Sequence, residues 1–460
     1  MKISFHGADC GVTGSCHLVD CAGKRVLIDC GMYQGSRELE QENAEPFGFE
    51  PASIDFMLLT HGHLDHCGRV PLLVKRGFRG EIVTTAASRE LAKIVLLDAA
   101  HLQEEEALYR LRKAGKSGGP GHPVPLYETL DALNSLDYFG RTPAYGRPLE
   151  LAPGLRATFI DAGHILGSAC VLLELTEKGK SRRVLFSGDL GNAGRPLLRA
   201  PQACPADAVV METTYGNRLH KSLDTSVVEL YEAINKTFKR GGNVIIPTFA
   251  LERAQELLYF LREGVEHGRL PDLRHVFLDS PMAISATRIF ERHPECYGES
   301  TRAMFQEGKD PFQLPNLSFC REASESKAIN DIPGGAVIMA GSGMCTGGRV
   351  RHHLRNNLGR PECGVVFVGY AAQGTPARHI INGAKMIRLF GDEIPVKASI
   401  YTIGGFSAHA DQAELIAWHA KTQAKTTYLV HGEEESMKAL APRLARTRIE
   451  MPKLNQAFEI

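Results

Sequence analysis

His61-Gly62-His63-Leu64-Asp65-His66 closes an apolar run, Ile54-Asp55-Phe56-Met57-Leu58-Leu59, and sets three imidazoles and a carboxylate within six residues. A buried strand ending in a tight, ligand-bearing turn is how a protein holds zinc rigidly with nitrogen and oxygen donors. A solvated histidine-rich turn is the ordinary alternative. A lone histidine favours that alternative; this spacing does not.

Four further segments share the same grammar, an apolar strand delivering one polar residue at a glycine-bearing turn. They are Ile28-Asp29-Cys30-Gly31, Ala162-Gly163-His164, Ser187-Gly188-Asp189-Leu190-Gly191 and Val430-His431-Gly432. Each alone is more often a turn device than a ligand. With the six-residue cluster they form one metal constellation.

The segments between them set the organisation. Residues 26–29, 56–60, 81–84, 157–161, 171–175 and 184–187 are β-rich and bounded by Gly, Pro or polar residues, with one helical stretch over 88–112. Lys113-Ala114-Gly115-Lys116-Ser117-Gly118-Gly119-Pro120 then reads as an exposed loop. Its Gly-Lys-Ser is no phosphate loop, because Arg110 stands where the first glycine is required. From about Met211 strands and helices alternate. Strands at 244–246, 276–278, 336–339 and 365–368 and helices from Leu251, Pro281 and near Gly347 give the rhythm of a parallel sheet with crossover helices. After about Pro395 short strands and glycine turns return. The expected domains are 1–210 and 396–460, forming one body, and 211–395 inserted into it.

The chain has 460 residues, 43% hydrophobic and 23% charged, with zero formal net charge. That suits two globular domains and leaves no global attraction to nucleic acid or anionic lipid. Eleven cysteines without a Cys-x-x-Cys pair, and no leader expected ahead of the strand at 2–5, point to a reducing cytoplasm. No apolar run spans a membrane.

The five metal motifs, in this order, resemble those of the metallo-β-lactamase superfamily in its nucleic-acid-processing branch, the β-CASP ribonucleases. The match is to prokaryotic homologues of the endonuclease subunit of the mRNA 3′-end cleavage and polyadenylation factor. The resemblance covers essentially the whole chain. It includes Pro247-Thr248-Phe249-Ala250-Leu251-Glu252-Arg253-Ala254-Gln255-Glu256 and Leu278-Asp279-Ser280-Pro281-Met282-Ala283. It implies an α/β fold, a metallo-β-lactamase αββα sandwich with an inserted β-CASP domain on a mainly parallel sheet. It also implies two Zn(2+) per chain: His61, His63 and His164 on one, Asp65, His66 and His431 on the other, Asp189 bridging, and Asp29 behind the ligands. Such a pair generates a hydroxide near neutral pH and binds phosphate oxygens as charge builds, with Asp65 and Asp29 supporting the catalytic water. No Gly-x-Ser-x-Gly nucleophile elbow offers a competing chemistry.

Three features narrow the substrate. Met211-Glu212-Thr213-Thr214-Tyr215-Gly216 and Gly405-Phe406-Ser407-Ala408-His409-Ala410-Asp411 resemble motifs peculiar to β-CASP enzymes. Carried over by position, His409 is the general acid and Glu212 orients it. The third such motif is His431, where RNA-directed members have histidine and DNA-directed members an apolar residue. Finally, residues 346–388 hold Arg349, Arg351, Arg355, Arg360, Arg378, Lys385 and Arg388 against only Glu362. That stretch could follow a phosphate backbone. Ser342 and Gly343 in Gly341-Ser342-Gly343-Met344 could cradle a phosphate, with Arg349 and Arg378 as further contacts.

The resulting expectation is a ribonuclease cutting single-stranded RNA in RNA processing or decay, leaving 5′-phosphate and 3′-hydroxyl ends. Endonuclease and 5′→3′ exonuclease modes both stay open, and a homodimer is compatible with the sequence. The alternatives are a DNA nuclease of the same superfamily, a small-ester or thioester hydrolase, and an inactive RNA-binding subunit of a processing complex.

Overall fold

Along strand Ala169–Glu177, Val171, Leu173 and Leu175 face one way, Cys170 and Leu172 the other, and both sets are buried. A strand apolar on both sides is covered on both faces, unlike the half-wet strands of an open sheet. The computed structural model, which describes residues 1–114, 124–369 and 371–460, places this strand in the middle of a sandwich. The chain forms two compact units. One comprises Met1–Ala193, Arg199–Leu219 and His409–Ile460, the other Gly194–Leu198 and His220–Ala408.

In the first unit a six-stranded sheet, with Lys2–Phe5, His17–Cys21, Lys24–Ile28, Phe56–Leu58 and Glu81–Val83 in adjacent order, packs on a seven-stranded sheet. Ile3, Phe5, Val19, Val26 and Leu58 from the first meet Phe159, Val171, Leu173, Phe186, Val210 and Tyr428 from the second. Removing such side chains from water contributes about 1.5–3 kcal/mol each. The outer face of the second sheet carries Cys170, Leu172, Leu185 and Met211, covered by Leu415 and Trp418 of helix Gln412–Thr422 and by Met437 and Leu440 of helix Glu434–Leu440. Helices Val70–Lys75, Ala86–Ala114 and Thr129–Ser135 pack together through Leu72, Ala100 and Ala132. This is the expected αββα sandwich.

Strand order in the second sheet explains how one site gathers distant residues. Ala208–Glu212 lies parallel between Lys180–Phe186 and Thr426–Val430. Glu212, Ser187 and His431 therefore reach the same sheet end.

The second unit is built on six strands, all parallel: Leu317–Phe319, His275–Asp279, Ala336–Ala340, Val244–Pro247, Gly364–Val368 and Ser399–Ile403. Val365, Ile245 and Phe367 form one core with Leu354 and Leu358 around helix Val350–Asn357. A hairpin, Met386–Leu389 with Asp392–Pro395, lies at its margin.

Several elements differ from the sequence reading. Ser399–Ile403 pairs with Gly364–Val368 in the parallel sheet. Beyond it the chain is helical over Gln412–Thr422 and Glu434–Leu440, in a region where the sequence suggests short strands and glycine turns. A local signal exists: Asp411 and Glu414 form a reciprocal capping box at the start of helix Gln412–Thr422. Helix Leu223–Lys239, with Val227, Leu230, Tyr231 and Ile234 buried, is an element the sequence reading lacks. The helix expected over 88–112 runs from Ala86 to Ala114. Most of the exposed loop expected at 113–120, including its Gly-Lys-Ser, lies outside the described residues.

Candidate metal centre

Asp29 leaves strand Lys24–Ile28 with φ +60°, a left-handed turn that swings its carboxylate under the neighbouring strand end. There its Oδ1 accepts from the Thr60 backbone N–H at 2.8 Å and its Oδ2 from Thr60 Oγ1 at 2.8 Å. His66 Nδ1 lies 2.7 Å from Asp29 Oδ2. This bond fixes the ring, donating through Nδ1 and leaving Nε2 as the lone-pair nitrogen.

The loop 61–66 is held from the other side by Gly31. A Cβ there would come within 1.6 Å of the Asp65 carbonyl oxygen, so only glycine lets the two loops touch. Arg69 closes the junction. Its backbone N–H donates to Cys30 O at 2.9 Å, its Nε donates to Gly31 O at 2.6 Å, and its guanidinium lies over the Tyr33 and Phe47 rings. Neither Thr60 nor Arg69 stands out in the sequence. Their importance comes from strand ends meeting in space, which no local spacing encodes.

His164 follows strand Leu155–Asp161, and its backbone N–H is bound by Ser168 Oγ at 3.0 Å. His61 Nε2 and His164 Nε2 stand 3.1 and 3.2 Å from His63 Nδ1. Three imidazole nitrogens this close match the edge of a tetrahedron around zinc, roughly 3.3 Å for N–Zn bonds of about 2.05 Å.

Asp189 lies between two histidine sets. Its Oδ2 is 3.5 Å from both His61 Nε2 and His164 Nε2. Its Oδ1 is 3.2 Å from His66 Nε2 and 3.5 Å from His431 Nδ1. His431 Nε2 in turn lies 3.5 Å from Asp65 Oδ2. Two donor groups result, His61–His63–His164–Asp189 and Asp65–His66–Asp189–His431, each with ligand atoms within 4.8 Å of one another. Among the described residues, His66 Nε2, His431 Nε2 and Asp189 Oδ1 are buried without a hydrogen-bond partner. Orphaned lone pairs converging in this way fit cations.

The electrostatics divide that donor set. Burial, then neighbouring imidazoles, hold His61 and His164 well below the ordinary histidine pKa, and burial lowers that of His63. A neutral imidazole is the form that can bind a metal ion. Burial opposes charge on His66 and His431 as well, but Asp189 together with Asp29 for His66, and Asp189 together with Asp65 for His431, raise both. Burial likewise opposes the Asp65 carboxylate, yet His431 and His66 draw it down to about 2.

Beside this centre, Glu212 ends strand Ala208–Glu212, fully buried. Its Oε1 accepts from the Leu190 N–H at 2.6 Å and lies 3.2 Å from His409 Nδ1. Burial lowers the His409 pKa, but the Glu212 carboxylate more than compensates and lifts it to about 9. The His409 ring lies 4.5 Å from that of His164, at the edge of the first donor group.

Ser342, Gly343, Arg349 and Arg378 all lie in the second unit. Ser342 Oγ accepts from the Gly347 N–H at 3.4 Å. Arg349 is held internally, by Asp279 Oδ1 at 2.7 Å and by the carbonyls of Cys320 and Arg321. Arg378 Nε donates to Ala371 O at 2.8 Å. The linear run of cations is thus partly engaged within its own unit.

Three family models match the chain in succession. They describe the metallo-β-lactamase superfamily at residues 11–248, a β-CASP domain at 254–380, and a Zn-dependent metallo-hydrolase RNA specificity domain at 393–452. Ribonuclease TTHA0252 of Thermus thermophilus is 42% identical over 446 residues, covering 97% of this chain and 96% of that protein. Transcription termination factor FttA of Methanocaldococcus jannaschii is 31% identical over 448 residues, 94% of this chain and 67% of its own length. A crystal structure of a protein of unknown function from Enterococcus faecalis aligns with a TM-score of 0.55 at 12% identity, over 99% of both chains, a likeness of fold.

Proposed function

This chain belongs to the β-CASP ribonucleases of the metallo-β-lactamase superfamily, and we propose that it hydrolyses phosphodiester bonds of single-stranded RNA at a two-zinc centre. His61, His63 and His164 would hold one ion, Asp65, His66 and His431 the other, and Asp189 would hold both. The observation that carries this reading is the division of the Asp189 carboxylate, one oxygen toward each histidine set. Bound zinc supplies an acidified water as nucleophile and positive charge for the phosphate oxygens.

The remaining work falls to the chain. Asp29 orients His66 through Nδ1. Glu212 keeps His409 cationic, and His409 gives its proton to the departing 3′-oxygen as the P–O bond breaks. The products are a 5′-phosphate and a 3′-hydroxyl. RNA is favoured over DNA by His431 and by the RNA specificity match at 393–452.

The test is digestion of matched RNA and DNA oligonucleotides by zinc-loaded protein, with end-group analysis and elemental analysis. About two zinc per chain and 5′-phosphate RNA fragments are expected. A 2′,3′-cyclic phosphate product would refute direct attack by water, and preference for DNA would move the chain to the neighbouring nuclease branch. A circular RNA separates internal cutting, which opens it, from 5′→3′ trimming, which cannot start.

A further inference from the structure

The structure sorts the cations of residues 346–388 into classes. Arg349 is bound to Asp279, Arg355 to Asp392 and Arg360 to Glu362. Arg351, Lys385 and Arg388 form no ion pair among the described residues, and two of them converge on one spot.

That spot is the tip of the hairpin Met386–Leu389/Asp392–Pro395. Ile387 and Leu389 point into the second unit's core. Met386 and Arg388 therefore point outward, and Phe390 follows at the turn with φ +54°. Phe390 is 43% exposed and Met386 48%, an uncommon amount of bare apolar surface for a two-residue turn and its strand. Helix Val350–Asn357 lies alongside. The Arg351 guanidinium carbon sits 4.4 Å from the Phe390 ring centre, and the His352 ring stacks on the same phenyl at 4.4 Å and 27°. Guanidinium, phenyl and imidazole thus form a pre-stacked array beside Arg388, which donates through Nε to Gly391 O at 3.3 Å and forms no ion pair among the described residues, although Glu393 stands opposite it in the hairpin. The second strand of the hairpin brings two acids, Asp392 and Glu393; Asp392 is engaged by Arg355.

We propose that this face, Arg351, His352, Arg388 and Phe390 with Met386, is an exosite for single-stranded RNA. The inference rests on the ribonuclease reading for its ligand. Flat π surfaces at stacking distance accept unpaired bases, and cations beside them accept the connecting phosphates. A duplex hides its base faces and gains only from the cations.

The experiment uses full-length, zinc-loaded protein in a His409→Ala background, so that the RNA survives the measurement. Anisotropy of a fluorescein-labelled 20-nucleotide oligouridylate is followed across a salt series. Arg351→Glu with Arg388→Glu should weaken binding about tenfold or more and reduce the log Kd against log salt slope by about 1.4, two phosphate contacts' worth. Phe390→Leu, which keeps the apolar bulk and removes the ring, should weaken binding several-fold and leave the slope alone. Zinc content and circular dichroism report that the fold persists; if the reversal loses zinc, Arg351→Gln with Arg388→Gln reads the same slope. Unchanged Kd and slope in these variants overturn the exosite. So does an equal loss for a 20-base-pair duplex, which would make the face a general polyanion surface. Hydrolysis of RNA by the wild-type protein is scored separately, so failure of the chemistry and failure of the exosite are told apart.

Discussion

Asp189 carries more of this centre than any other residue, because it faces four imidazoles at 3.2–3.5 Å through two oxygens. Asp189→Asn keeps the shape and removes the charge. Elemental analysis should show zinc falling below two per chain, with RNA hydrolysis lost. His409→Ala tests a different role. Zinc should stay bound while kcat falls by about 10²–10⁴, the range for loss of a positioned proton donor. Arg69 lies behind the ligands, and Arg69→Ala should weaken zinc affinity by roughly 10–100-fold, the usual cost of removing a group that orients ligands. A competition titration with a chelating dye reads that shift. An unchanged affinity would make Arg69 mere packing. The candidate ligands are legible in the sequence because four crowd into residues 61–66 and the others follow strands beside glycine. Arg69 and Thr60 are not, since their contacts run between loops whose meeting depends on the whole sheet.

Among elements, strand His275–Asp279 shows why a count along the chain misleads. Asp279 is fully buried and accepts from Ser326 Oγ at 2.6 Å and Arg349 Nη1 at 2.7 Å, with His353 Nε2 at 2.6 Å. The sequence offers Arg349 as an RNA contact because its acidic partner is seventy positions away. Burial alone would raise the Asp279 pKa, but His353, Ser326 and Arg349 together bring it below its ordinary value of 3.8. A carboxylate depressed in the folded state adds stability above its unfolded pKa, and that stability is lost as pH falls through the folded value. Asp279→Asn should therefore cost about 3 kcal/mol at neutral pH, as for a broken buried ion pair. The difference from wild type should begin to shrink below about pH 4, the unfolded value, and vanish only below the depressed native value, where both carry a neutral side chain. Hydrogen exchange of strand His275–Asp279 at pH 6 and pH 3 measures both. A mutant penalty that is the same at the two values would sink the argument.

For the molecule as a whole, candidate ligands from four separate segments would make metal binding and folding of the first unit one equilibrium. Chelation should lower its unfolding temperature, since ligand at a thousand times its Kd contributes about 4 kcal/mol. The single tryptophan is a convenient reporter: Trp418 is buried in the first unit and donates to Gln202 O at 2.8 Å. Its emission should shift red at lower temperature in the metal-free protein, while an unmoved midpoint would uncouple metal from fold. Fold class is readable at this scale because strand periodicity and helix rhythm differ between the units. The strand Ser399–Ile403 is easily misassigned because a short strand looks alike in either sheet, and only its parallel pairing with Gly364–Val368 places it.

The strand Ala208–Glu212 rests between an earlier neighbour and one made 218 positions later, Thr426–Val430. During synthesis, then, the ribosome must pass Val430 before that sheet can finish, and His409 and His431 are made only at that late stage. On the proposed mechanism, translation therefore completes the rest of the centre before it supplies the proton donor and, last, one cation ligand.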